Sequence, residues 1–407
     1  MQKINFISGL LLITIALADQ NIEIIGGNYA GNPKIAIVNF SGDGSNANNV
    51  TDIISNDLNI TGEFSVKEYS SINAVESSNQ YIITGTVESN SNITYQLMAN
   101  TGTNTLILNQ KLTFKAADLR RAGHLVSNGI YHQLTNSPGI FTSKIAYITQ
   151  KGSTYKIIIS DYDGYNQKVL VSVNAPLTSL AWDKSGKQLA YVSFESGKPV
   201  VYVQDLYQAK RYSVANFSGS NSSPSFTPNS SALSVTLTKD DGSHIYLVDN
   251  SEYKKGVSAR SLISFGSIDT EANIASNEST VFTSNHDGGP QIFMSNLHGM
   301  PPVRLTINLG NYNTTPRFSH DLSKITFINR NSGTLKTYVL DLATHTAYPV
   351  SIKTNLDLSP SFAPNDKLIL FSSDNRMYIV NTTGTSETKL NSITGEIIID
   401  QSWANNF

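Results

Sequence analysis

One phrase recurs along the second part of this 407-residue chain and constrains the fold more than any other feature. "LTSLAWDKSGKQLAYVSFESGKPVVYVQDL" begins at Leu177 and "SPSFTPNSSALSVTLTKDDGSHIYLVDN" at Ser223. "TPRFSHDLSKITFINRNSGTLKTYVLDL" follows from Thr315, and "SPSFAPNDKLILFSSDNRMYIVNTTG" from Ser359. Trp182, Phe226, Phe318 and Phe362 hold the same place in each copy, and the step from 182 to 226, like that from 318 to 362, is 44 residues. The gap between is filled by "TEANIASNESTVFTSNHDGGPQIFMSNLHG" from Thr270, with Ile274 in the anchor place. Strand-like repeats of this period are the signature of propeller blades.

Each copy parses as four strands. A short segment ending in the anchor is followed by a Pro/Asn/Gly turn, a buried strand such as "LAYVSF", and a second turn such as "DDGS". An alternating strand such as "VVYVQDL" comes next, then a variable outer one. Tight Gly, Asn and Asp turns join such strands into one antiparallel sheet. A lone sheet cannot bury both faces, so copies must stack, and a closed ring leaves only short, protected edges.

The span from Ser143 to Phe407 holds about six periods. "KIAYITQKGSTYKIIISDYDGYNQKVL" (Lys144–Leu170) opens the series without a leading anchor strand. The tail "IIIDQSWANNF" carries Trp403 in the anchor place. The tail is therefore expected to supply the missing strand of the first blade and close a six-bladed ring over 140–407. An open β-solenoid would leave this complementarity of the two ends unexplained.

The chain carries 29 Lys and Arg against 31 Asp and Glu, with no basic run, which argues against nucleic acid as a partner. It has no cysteine, so a disulfide framework, a Cys-ligated zinc and a thiol nucleophile are excluded. Met1–Ala18 reads as a secretory signal peptide. Lys3 precedes an apolar run too short to span a bilayer, and "ALA" fits a cleavage site. The exported product is expected to begin near Asp19 and not to insert in a membrane. Residues 19–31 form an expected flexible arm.

Residues 32–139 lack the period and read as a small α/β domain. "PKIAIVNF" is a buried strand, "NNVTDIISNDLNI" has helical spacing, and three alternating strands follow. The helix "LRRAGHLVSNGIYHQL" puts Leu119, Ala122, Val126, Ile130 and Leu134 on one stripe, with Arg120, Arg121, His124 and Asn128 expected to face outward. "TNSPG" (Thr135–Gly139) reads as the linker.

Several of these phrases together resemble the TolB family, periplasmic components of the Tol–Pal system of Gram-negative envelopes. They are "IEIIGG", "IAIVNF", "YIITGTVE" with "YQLMA", "LRRAGHLVSNGIYHQLT" leading into "TSKIAYIT", and the specific "SDYDGYNQ" (Ser160–Gln167). The resemblance covers the whole mature length. It implies an α/β domain joined to a six-bladed propeller, binding the lipoprotein Pal at one end of the propeller channel and TolA through the N-terminal arm. It also implies support of outer-membrane integrity and of constriction during division, with bacteriocins among further partners. By that resemblance Ser220, Asn221, Thr270, Glu271, Asn313 and Asp357 line the Pal-facing mouth. Asp19, Ile22, Glu23, Ile24 and Ile25 form the TolA-binding arm. The chain departs from the family phrase at Ala272 and Ile274, where Pro and Trp are usual, and at Ser220, where a His is common.

Chemistry is sparse. The seven histidines are scattered with no H-E-x-x-H, and no G-x-S-x-G elbow is present. "SGDGSNANN" (Ser41–Asn49) lacks the glycines and the G-K-[ST] of a phosphate loop and reads as a turn with an N-cap. "DYDG" (Asp161–Gly164) lacks the terminal Glu of a calcium loop and reads as a hairpin turn. No catalytic residue, metal ligand or cofactor is expected, with a divalent ion along the propeller axis left open. Two alternatives to an adaptor are the propeller of a serine-peptidase-like hydrolase, which lacks its hydrolase domain here, and a glycan- or peptidoglycan-binding propeller. The latter needs exposed aromatics at the mouth, whereas Trp182 and Trp403 take anchor places.

Overall fold

The protein is described by a computed structural model that covers residues 31–88, 91–239, 242–249, 258–391, 393 and 395–404. The expected signal segment and the arm residues Asp19, Ile22, Glu23, Ile24 and Ile25 lie outside the described residues.

The N-terminal α/β region is built on strand Lys34–Val38, which pairs in parallel with Ser65–Tyr69 on one side and Tyr81–Glu88 on the other. A parallel strand flanked on both sides is covered on both faces, and Ile35, Ala36 and Ile37 are fully buried. Antiparallel strands Asn92–Ala99 and Thr105–Thr113 extend the sheet. Helices α1 (Gly44–Ile60) and α2 (Leu119–Thr135) pack against each other and contribute Val50, Ile54, Val126 and Ile130 to the same core. The expected turn over Ser41–Asn49 is shorter than read. Ser41–Gly42 pairs with Thr86 and Val87, so α1 must start at Gly44. Asp43 stands at its N-cap without a side-chain cap bond and instead accepts from Asn46 Nδ2 at 3.2 Å. Gly42 has φ +107°, and a Cβ there would meet the Val87 carbonyl oxygen at 2.1 Å. Gly42→Ala is therefore expected to lower stability by about 1–3 kcal/mol, read as a shift in the denaturant midpoint at constant slope.

Six four-stranded antiparallel sheets follow. Five of them run in sequence order from the inner strands Leu177–Trp182, Asn221–Phe226, Asp269–Ile274, Asn313–Phe318 and Asp357–Phe362. The sixth has the order Ile397–Trp403, Lys144–Lys151, Thr154–Asp161, Lys168–Val173, so the last strand of the chain is the inner strand of the first blade. Trp403 pairs with Ile145 and Ser402 with Ala146. Closure is hydrogen-bonded on both flanks: Gln401 Nε2 donates to Leu358 O at 2.8 Å, and Leu180 N donates to Asp400 Oδ2 at 2.8 Å. The ring is closed, and the open solenoid is excluded. Apolar side chains fill the inter-blade cores; between the first and second blades Ile148, Ile157, Leu189 and Tyr191 are almost wholly buried.

Candidate functional site

Every inner strand carries an irregularity partway along, between Thr178 and Ala181, Ser222 and Ser225, Thr270 and Asn273, Thr314 and Arg317, Leu358 and Ser361, and Ile398 and Asp400. Such bulges kink a strand and re-aim its backbone. Here they pinch the channel. Ser179, Ser223, Glu271, Thr315 and Ser359 sit at the bulges with φ between +48° and +61°, and with Asp400 they line a constriction of about 80 Å³. Left-handed backbone at a non-glycine residue costs about 1–2 kcal/mol. Polar side chains offset it: Glu271 Oε2 accepts from Thr315 N at 2.8 Å and from Thr283 Oγ1 at 2.8 Å.

On one side of the constriction is the mouth formed by loops that enter the inner strands. The six residues expected there divide into two groups. Asn221, Asn313 and Asp357 are fully buried. Asn221 accepts from Phe217 N and donates to Pro199 O and Phe217 O. Asn313 donates to Gln291 and accepts from Asn329, and Asp357 accepts from Thr337 N at 2.8 Å. The equivalent Asp269 accepts from Phe265 N and Gly266 N. A short polar residue at this place folds its entry loop by satisfying backbone groups that no strand reaches. Their role is to shape the mouth; buried this way, their side chains are not its surface. Ser220, Thr270 and Glu271 are half-buried. Thr270 Oγ1 lies 3.3 Å from Ser223 Oγ, and Glu271 belongs to the constriction.

The mouth exposes polar residues such as Asn308, Asn311, Lys353 and Asn355, and with them six large apolar side chains. Ile268 (50% exposed), Ile307 (65%), Ile352 (46%), Leu356 (49%), Leu358 (43%) and Ile397 (44%) stand in or beside the entry loops. The loops are pinned to neighbouring blades by Ser243 N→Ser267 O at 3.0 Å and Leu335 N→Asn355 O at 2.8 Å. An exposed apolar rim on tied loops is the usual mark of a protein-docking face. Sequence reasoning missed these residues because no repeated position marks them: level with Ile268 and Leu356 the other blades place Pro176, Ser220, Tyr312 and Glu396.

A second site lies where α1 and α2 meet the ring. His124, expected to face outward, is 2% exposed, and Arg120 is partly buried. The correction has a simple cause: α2 is covered on one side by the sheet and α1, and on the other by the hairpin turn Tyr162–Gln167. Hydropathy registers only the first of these faces. His124 Nδ1 lies 2.8 Å from Asp57 Oδ2 on α1, and Tyr162 donates to Asp57 Oδ1 at 2.6 Å. Asp163 Oδ2 lies 3.7 Å from His124 Nε2 and is paired with Arg120. Burial works against a charged imidazole, but the field and hydrogen bond of Asp57, helped by Asp163, outweigh it and hold the His124 pKa above its ordinary value. Burial likewise pushes the Asp163 carboxyl up, against the pull of His124 and Arg120. Asp57, His124 and Asp163 have the mutual spacing of metal ligands. Tyr162 donates to Asp57 and Arg120 pairs with Asp163, so the group acts as an ion-paired clasp between the α/β region and the ring, with His124 Nε2 left without a hydrogen-bond partner among the described residues. The other paired histidines follow suit: His244 with Asp269, His298 with Glu278 and His320 with Asp366.

Comparison with known proteins decides the lineage. The model of the TolB beta propeller domain matches residues 131–406, and that of the TolB amino-terminal domain matches 20–101. The chain belongs to the TolB family. A TolB of Bordetella parapertussis, described as a Tol-Pal system protein, is 32% identical over 315 residues, covering 71% of this chain and 70% of that protein. One from Chromobacterium violaceum is 33% identical over 53% of this chain and 54% of its own length. The crystal structure of TolB from Acinetobacter baumannii superposes with a TM-score of 0.80 at 31% identity, covering 92% of this chain and 96% of that one. As a TolB, the chain shows the six-bladed ring and N-terminal α/β region that its sequence implied. The hairpin phrase "SDYDGYNQ" that helped to mark it as a TolB is the segment bearing Tyr162 and Asp163. Among the described residues no helix is long and apolar enough to cross a membrane.

Proposed function

We propose that this member of the TolB family is a non-enzymatic periplasmic adaptor of the Tol–Pal system, exported through Met1–Ala18. It binds Pal at the channel mouth and TolA through the arm Asp19–Gly31, and so supports outer-membrane integrity and constriction during division. The names of its relatives support a place in that system. The observation that carries the adaptor reading is the apolar rim of Ile268, Ile307, Ile352, Leu356, Leu358 and Ile397 on pinned loops. Rigid loops lower the ordering cost of docking, and apolar anchors ringed by polar groups supply most of the affinity of such faces. Ser220 and Thr270 contribute rim hydrogen bonds, while Asn221, Asn313 and Asp357 act by holding the loops in shape.

The test is calorimetric titration of the mature protein with the periplasmic domain of Pal. The double variant Ile352→Asp, Leu356→Asp is expected to bind at least about 10-fold more weakly with an unchanged melting temperature, since each side chain is exposed and aspartate disfavours an apolar interface. Unchanged affinity would move the Pal site off this face. Arm and mouth are also expected to be coupled, so that deleting 19–31 changes Pal affinity and Pal changes TolA affinity by the same factor. Identical Pal affinity with and without the arm would remove the coupling.

A further inference from the structure

Beyond the constriction, on the side away from the mouth, the channel widens into a chamber of about 210 Å³. Its wall is the ring of six anchors, Trp182, Phe226, Ile274, Phe318, Phe362 and Trp403, one from each inner strand. Between these anchors the fifth blade sends an arginine, Arg317, from the place that Ala181, Ser225, Asn273, Ser361 and Ser402 hold in the other blades. Its hydrogen bond among the described residues runs from Nη1 to Pro316 O at 2.8 Å. A guanidinium has five donors, so most of its capacity is unspent. The carboxylates of Glu271 and Asp400 act on it from the constriction, but both are committed to backbone amides, of Thr315 and of Leu180 and Gln401. Arg317 is half-buried and also lines the constriction, and burial pushes its pKa down against the pull of Glu271 and Asp400. Lys184 and His320 also line the chamber, and no Asp or Glu does.

Aromatic anchors set among polar groups, a half-buried cation with unused donors and a lining without Asp or Glu favour one ligand chemistry. We propose that the chamber binds a small organic carboxylate, its head paired to the Arg317 guanidinium and its hydrocarbon body against the anchors. A cavity of about 150 Å³ admits a benzene ring, so there is room for one ring or a short chain. The carboxylate–guanidinium pair can be bidentate and is strengthened by exclusion of water. The carboxylate can come from a free acid or from the C-terminus of a peptide, whose last side chain would fill the chamber. Neither Pal nor TolA binding enters this assignment.

Both tryptophans of the chain, Trp182 and Trp403, stand in the chamber wall, so their emission reports directly on occupancy. The mature protein is titrated with hexanoate, hexanamide and hexylamine at constant ionic strength. Hexanoate is expected to give a saturable change at least about 10-fold tighter than hexanamide, with hexylamine weaker still. Arg317→Gln is expected to bring the hexanoate-to-hexanamide ratio to within about 2-fold, and Arg317→Lys to keep part of it. Acetyl-Gly-Leu with a free terminus, set against its amidated form, separates the sources. Competition with hexanoate by the free form assigns the site to chain termini, and its failure assigns it to small acids. Equal affinities for hexanoate and hexanamide in the unmodified protein would overturn the proposal, as would no saturation up to 10 mM. A preference for hexanoate that persists unchanged in Arg317→Gln would place the anion elsewhere and overturn it too. The first two readings need no variant to fold.

Discussion

Replacing Asp57 with alanine is expected to destabilise the protein by about 3–5 kcal/mol, the range seen when one member of a buried pair is removed. Asp57 is 1% exposed and accepts from two almost wholly buried groups, His124 on α2 and Tyr162 in the first blade. Its loss leaves an imidazole and a phenol buried without a partner. Because Tyr162 stacks on Trp403 at 6.2 Å with rings 14° apart, the damage reaches the strand that closes the ring. The expected readout is a melting transition lowered by several degrees, with faster proteolysis in the segment 136–139 that follows α2. An unaltered transition would show that the clasp carries no stability.

The same clasp predicts a pH dependence of definite sign. The groups facing His124 are Asp57 from α1, Asp163 and Tyr162 from the hairpin turn, and Arg120 one turn back on α2. The folded pKa of His124 lies above the unfolded value of about 6.5. Its contribution is therefore fully present below about pH 6.5 and is lost as pH rises through the folded pKa. The difference in melting temperature between the unmodified protein and His124→Gln is expected to shrink from pH 6 toward pH 9. A difference that grows over that interval would reverse the assignment of charge.

Removing 397–407 is expected to have the larger effect, abolishing the cooperative transition. Without Ile397–Trp403 the first blade loses its inner strand, and Lys144–Lys151 becomes an open edge in the channel, a template for pairing with other chains. The milder Trp403→Ala deletes a side chain that is 1% exposed and bonded through Nε1 to Ser143 Oγ at 2.8 Å. It is expected to cost about 3–5 kcal/mol. Chemical denaturation followed by circular dichroism separates the two, with a shifted but sharp transition for Trp403→Ala and a soluble aggregate by light scattering for the truncation. A truncated chain that unfolds with the original midpoint would mean that the ring does not depend on its last strand.

The blades were legible because each repeats one pattern of burial. Leu189, Leu233, Ile325 and Ile369 come from separate copies and are all fully buried, so periodicity in the text maps onto periodicity in space. Closure was legible for the same reason, since a first copy without an anchor strand and a tail with one solve each other. The mouth was legible only in part. Asn221, Asn313 and Asp357 stand at the same turn of their copies, but whether a polar side chain there faces a partner or folds back on its own loop depends on neighbours such as Thr337 and Gln291, 20 or so residues away.

From its sequence alone this protein is a closed six-bladed TolB propeller behind an α/β region, because hydrophobic spacing and turn residues act over one strand or one blade and repeat. Only the tertiary structure decided that His124 is a buried clasp, that isoleucine and leucine stand exposed among the polar residues of the mouth, and that Arg317 stands between the channel's anchors. Each of these is set by which residues from distant copies share a dielectric environment. A charge has no intrinsic preference for inside or outside until the groups that can match it are in place.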